Sequence, residues 1–93
     1  MTLDQQVRPH PDVVDTELDT GEMVLLHLAS KTYYSLNATG TRIWQGLKQG
    51  LSLRQISARL QAEFEVEADR ADHSVLALVQ ELCQPQLVQR LDA

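Results

Sequence analysis

Cysteine is nearly absent: Cys83 is the one thiol in 93 residues, which excludes an intrachain disulfide and leaves too few sulfurs for a structural zinc site. A reducing cytoplasm is the expected compartment. Basic residues are also few. Eight Lys and Arg stand against thirteen Asp and Glu, and the formal net charge of -5 disfavours nucleic acid and anionic lipid as partners. Long apolar runs are missing, the longest being Met23 to Leu26 before His27 interrupts it, and Met1 to Gln6 has neither a basic nor an apolar signal region. The sequence therefore predicts no membrane span and no signal peptide. Aromatic residues make up only 4%, yet the hydrophobic share of 43% and the charged share of 23% are those of an ordinary globular chain, so a modest core is expected. At this length it makes one domain rather than two.

Residues 1–11 are mostly polar and carry Pro9 and Pro11, so they read as a flexible N-terminal arm ahead of a folded domain over residues 12–93. From Val13 the pattern becomes that of strands. Val13–Leu18, Glu22–Leu28 and Thr32–Leu36, separated by Asp19-Thr20-Gly21 and Ala29-Ser30-Lys31, predict a three-strand antiparallel meander. Alternation assigns Val14, Thr16, Leu18, Val24, Leu26, Leu28, Thr32, Tyr34 and Leu36 to the side that packs on helices. The opposite side, with Val13, Asp15, Glu17, Met23, Leu25, His27, Tyr33 and Ser35, is half apolar and also calls for a cover. Two covers fit: the arm folding back through Val7 and Pro9, or a second copy or partner.

After Leu36 the period becomes helical. Asn37 is a good N-cap for a helix from about Ala38 to Gln49, with Ile43, Trp44 and Leu47 on one stripe and Gly50 as its stop. Ser52 and Gln55 form a capping box for a second helix ending near Glu65, in which Leu53, Ile56, Leu60 and Phe64 share a face. A third helix opens near Asp69, carries Val75, Leu76, Val79, Leu82 and Cys83 on its apolar stripe, and stops before Pro85, leaving Leu87-Val88 as a docked tail. The fold class is thus α+β and winged helix-turn-helix-like, a three-stranded antiparallel sheet followed by three helices.

Reactive groups do not converge in this pattern. His10, His27 and His73 fall on separate elements without metal-ligand spacing, so the sequence predicts no metal site, no cofactor and no catalysis. Cys83 reads as a small hydrophobe on a helix stripe. Asn37-Ala38-Thr39-Gly40-Thr41-Arg42 follows a strand and opens a helix but lacks the glycine spacing of a phosphate loop, and Gly40 reads as a close-packing position. A DNA-reading third helix should be basic, whereas this one carries Asp69, Asp72 and Glu81 against Arg70.

What remains is the sheet edge. The last strand, Thr32 to Leu36, has no proline or inward charge to block pairing beyond Lys31 at its start, so its backbone can template a further strand. The third helix would form the other wall, where Asp69 and Asp72 would favour a peptide with basic groups. Tyr33 and Tyr34 fit ordinary strand packing and a guest pocket equally well.

The block Tyr33-Tyr34-Ser35-Leu36-Asn37-x-Thr39-Gly40-x-x-Ile43-Trp44, with the strands before it and the Leu53–Phe64 helix after it, resembles PqqD-like proteins. More narrowly it resembles the small standalone leader-binding proteins of lasso-peptide biosynthesis, over roughly Val7 to Leu91. The resemblance implies a recognition element for ribosomally made, post-translationally modified peptides: a non-catalytic binder whose partners are a precursor's leader peptide and a separate cysteine leader peptidase. The leader adds as a fourth strand beside the third. Carried over by position, the peptide site is Thr32, Tyr33, Tyr34, Ser35 and Leu36 on the strand, with Asp69, Asp72, Leu76, Val79 and Gln80 on the helix wall. Service to a radical enzyme in pyrroloquinoline quinone assembly, a winged-helix DNA-binding role and a homodimer through the second sheet face are the rival readings.

Overall fold

The computed structural model describes residues 3–90. Its elements run β1 (Val7–Pro9), β2 (Val13–Glu17), β3 (Met23–His27), β4 (Thr32–Leu36), α1 (Ala38–Lys48), α2 (Leu53–Phe64), α3 (Ala68–Cys83) and β5 (Val88–Arg90). The meander β2-β3-β4 is the predicted antiparallel sheet, followed by the three predicted helices. Local chemistry places the helix starts where the sequence reading puts them. The Asn37 side chain accepts the Gly40 N–H at 2.8 Å, and Ser52 and Gln55 make a reciprocal capping box.

Two glycines let elements approach closely. A Cβ on Gly46 would lie 2.7 Å from Ile56 Cγ1, so a side chain there would separate α1 from α2; one on Gly40 would meet Leu36 Cδ2 at 3.2 Å, in keeping with the predicted close packing. The core then fills from every element. Leu25, Leu36, Ile43, Trp44, Leu53, Ile56, Leu60, Val75, Val79, Leu82 and Leu87 are all buried.

The sheet faces of β2 and β3 are the reverse of the expected ones. Met23, Leu25 and His27 point inward and are buried, in register with Leu36, Tyr34 and Thr32 of β4 and with Glu17, Asp15 and Val13 of β2. Val14, Val24, Leu26, Tyr33 and Ser35 lie on the outer side. The cause is turn length. The four-residue connection Leu28 to Lys31 sets His27 opposite Thr32, which couples odd positions of β3 to even positions of β4. Because β3 is apolar on both sides, alternation within it could not reveal this.

The inner polar residues of edge strand β2 are used as ties. Asp15 accepts from Trp44 Nε1 at 2.8 Å and from Lys48 Nζ at 2.8 Å, bonding the sheet to α1. Burial alone would raise the Asp15 pKa; the hydrogen bonds from Lys48 and Trp44, together with the Lys48 charge, outweigh it and hold the carboxyl below its ordinary value.

Part of the expected arm is built into the fold. Residues 7–9 form β1, which pairs antiparallel with β5, and Val7 is buried in the core against the helices. This two-stranded ribbon absorbs the predicted docked tail, with Leu87 and Val88 buried. The arm therefore does not cover the outer sheet face, where Val14 and Tyr33 are exposed. That Val7 enters the core rather than covering the outer face is not legible in sequence, because a single apolar residue between Gln6 and Arg8 carries no periodic signal.

Candidate functional site

The edge of β4 is open on the side away from β3, since among the described residues the sheet order ends there. Which backbone groups face outward follows from the ladder. Leu18 N–H donates to Glu22 at 2.8 Å and Leu28 N–H to Asp12 at 2.9 Å, so the even positions of β3 bond toward β2. Its odd positions therefore bond β4, at Thr32, Tyr34 and Leu36. Tyr33 and Ser35 are left with N–H and C=O groups directed at the open edge. Of the five strand residues expected to bind peptide, these two direct backbone groups at the open edge. Thr32 and Tyr34 are half-buried and turn their side chains to the helical side, while Leu36 is core.

Across from this edge runs α3. A trough lies between them, made of three depressions of about 370, 480 and 350 Å³ that share Gln84 and Pro85, then Ala77 and Glu81, in their walls. The first opens beside His27 and Thr32 against Gln84 and Pro85; the second lies between Tyr34 and Ala77, Gln80 and Glu81; the third lies between Asn37, Gly40 and Ile43 and the early α3 residues His73 and Ser74. Helical spacing explains the wall. Positions 73, 77, 80 and 84 recur at i, i+4, i+7 and i+11, and 74 and 81 flank them.

The expected helix wall is thus turned by about one residue. Gln80 lines the trough, and it alone of the five carried-over α3 positions does so. Asp72 accepts a hydrogen bond from Ser57 of α2 and so faces the other way. Leu76, one turn on, is half-buried against the core; Val79 is wholly buried; Asp69 is exposed in the first turn and lines none of the three depressions. His73, Ser74, Ala77, Glu81, Gln84 and Pro85 were missed. Their signal is faint: a small and polar stripe beside the Val75-Val79-Leu82 core stripe, legible only once α2 is known to take the Asp72 side.

A hydrogen bond spans the trough. Tyr34 Oη donates to Glu81 Oε2 at 2.5 Å. That bond, aided by burial and by the Glu81 charge, pushes the Tyr34 pKa up to about 12. The histidines do not assemble into a reactive group. The His10 and His27 rings pack at a tilt of 41° with centroids 4.6 Å apart, and His10 Nδ1 accepts the Asp12 N–H at 3.0 Å. His27 and His73 lie at opposite ends of the trough. Among the described residues no three His, Cys, Asp or Glu side chains come together as a metal site, and no helix is long and apolar enough to cross a membrane.

The model of the coenzyme PQQ synthesis protein D (PqqD) family matches residues 22–88, from the start of the β2–β3 turn's exit to β5. The chain belongs to the PqqD family. Two solved structures share the PqqD fold seen here. One is TbiB1 in complex with the TbiA(beta) leader peptide, 30% identical, with a TM-score of 0.82 over 88% of this chain and 94% of that one. The other is a lasso peptide synthetase B1 complexed with the leader peptide, 33% identical, with a TM-score of 0.81 over 90% and 98%. No curated protein sequence matches this PqqD family member significantly.

Proposed function

We propose that this PqqD family protein binds the leader of a ribosomally made precursor peptide, of the lasso class, as a fourth strand on β4. The observation that carries the reading is the open Tyr33–Ser35 edge facing the α3 trough, in a fold shared with two proteins solved as leader-peptide complexes. Strand addition gives the leader backbone partners, and the trough gives its inward side chains a surface. A disordered leader loses chain entropy on ordering, so an affinity near micromolar, about -8 kcal/mol, is expected. The protein performs no bond chemistry in this reading. It holds the leader beside a separate cysteine leader peptidase in the cytoplasm and raises the effective concentration of the cleavage site.

The family description favours one second reading, in which the protein presents a peptide to a radical enzyme of coenzyme PQQ synthesis. The 30–33% identity, over nearly whole chains, to two proteins solved with leader peptides, one of them a lasso peptide synthetase B1, weighs toward the first. The test is a titration with a fluorescent leader peptide from the neighbouring precursor gene, a scrambled leader and a DNA duplex, at a concentration where light scattering reports the oligomeric state. Saturable binding of the unscrambled leader alone is expected. Equal binding of scrambled and unscrambled leaders, or binding of DNA alone, would overturn the proposal.

A further inference from the structure

The trough is nearly devoid of fixed charge. Among the described residues that line its three depressions, Glu81 is the sole Asp, Glu, Lys or Arg. The acids expected to face a guest do not: Asp72 is engaged with Ser57, and Asp69 stands outside. Glu81 instead occupies the middle of the trough, reaching over β4 to Tyr34.

A strand added to β4 changes what Glu81 meets. The guest would lie about 4.8 Å beyond β4, on the side of the trough that Glu81 crosses. Its side chains alternate between sheet faces, and the residue directly opposite Tyr34 shares Tyr34's face. That residue comes under the Glu81 carboxylate. An acidic side chain there faces like charge, a neutral one leaves the Tyr34 bond to be disturbed without replacement, and a Lys or Arg provides a charge-assisted partner.

We propose that Glu81 is a specificity residue that exchanges its hydrogen bond from Tyr34 for a Lys or Arg of the incoming leader, at the position paired with Tyr34. This rests on the leader-binding reading and names the chemistry that reading leaves open. The exchange occurs at a partly exposed site, so the preference is moderate and screened by salt.

The test is a charge scan. Each residue of the leader from the neighbouring precursor gene is replaced in turn by Lys, Gln or Glu, and each peptide is titrated against wild-type protein, Glu81→Gln and Glu81→Lys, all checked for folding by circular dichroism. In wild type one position should favour Lys over Gln by about three- to tenfold and disfavour Glu, with the difference shrinking at high salt. Glu81→Gln should flatten that ranking and Glu81→Lys invert it, while other positions stay unchanged. The same ranking in all three folded proteins would overturn the assignment of Glu81 while leaving leader binding intact. Failure of wild-type protein to bind any of the peptides would overturn the leader-binding reading and this inference with it.

Discussion

Proline at two neighbouring positions of β4 separates the binding edge from the fold. Tyr33 turns its N–H outward, whereas Tyr34 turns its N–H to Leu25 of β3. In Tyr33→Pro no bond of the sheet is lost, and the side chain removed is 70% exposed, so the unfolding free energy should change by no more than about 1 kcal/mol. The bound leader, however, loses one ladder hydrogen bond of about 0.5–1.5 kcal/mol, and the ring fills the space where its carbonyl would sit. Affinity should fall at least about tenfold. Tyr34→Pro removes a central ladder bond and leaves the Leu25 carbonyl unsatisfied among buried side chains, at about 1–3 kcal/mol or more from a total of about 5–15. Urea unfolding followed by Trp44 fluorescence, beside anisotropy titration with leader, reads both effects. Tyr33→Ala controls for loss of the ring. A folded Tyr33→Pro protein that binds leader as tightly as Tyr33→Ala would refute strand addition on β4.

Asp15→Ala should cost about 1–3 kcal/mol in urea unfolding, because Trp44 Nε1 is left buried without an acceptor, and Asp15→Asn less, because an amide oxygen can still accept. Since the folded pKa of Asp15 is lowered, its stabilising contribution is present above the ordinary value of 3.8 and fades as pH falls through the folded value; both variants should flatten the acid limb of stability against pH below about 4. In a Tyr33→Phe background, where Tyr34 is the sole tyrosine, ultraviolet titration should give a pKa near 12 that drops toward 10 when Glu81→Gln is added. The raised value means that the protonated phenol stabilises the fold fully below pH 10 and that this support disappears as pH rises to about 12. Removal of residues 1–11 should lower stability by about 2 kcal/mol or more in the same urea assay, since it strips buried Val7 and the β1–β5 pairing; an unchanged midpoint would show that the segment is an arm after all.

The residues most legible in the sequence turn out to be scaffolding. Leu36 is core, Asn37 caps α1, Gly40 packs on Leu36, and Ile43 and Trp44 are buried, so the block that carries the family resemblance describes how β4 joins α1. Capping and apolar period are local properties, and a single sequence reveals them. Edge position is nearly local too: a meander's last strand is an edge unless something distant covers it. The outward direction of Tyr33 and Ser35 was not legible, because it depends on the register set by two turns. Nor was the face of α3. Rotating a helix by one residue moves its stripe by about 100°, enough to exchange Asp72, Leu76 and Val79 for His73, Ala77 and Gln80. What fixes that rotation is the Ser57–Asp72 bond and the α2 packing, contacts between segments fifteen residues apart.

The arrangement of α3 also bears on how an open edge can persist without indiscriminate pairing. An exposed β4 would ordinarily accept the edge of any other sheet. Here α3 stands within side-chain reach on the helical side, as the Tyr34–Glu81 bond shows, so the space beside β4 is bounded by a helix wall. A folded sheet brings a second layer of structure with it, typically about 10 Å away, and that layer would collide with α3. A single extended chain brings only its own side chains. In the proposed binding mode the trough therefore discriminates by state of folding before it discriminates by sequence: an unfolded peptide can enter where a folded edge cannot. Glu81, set in the middle of that trough, then acts on a guest already restricted to one extended strand, where a side chain's place along β4 is fixed by register and a single carboxylate suffices to distinguish one position.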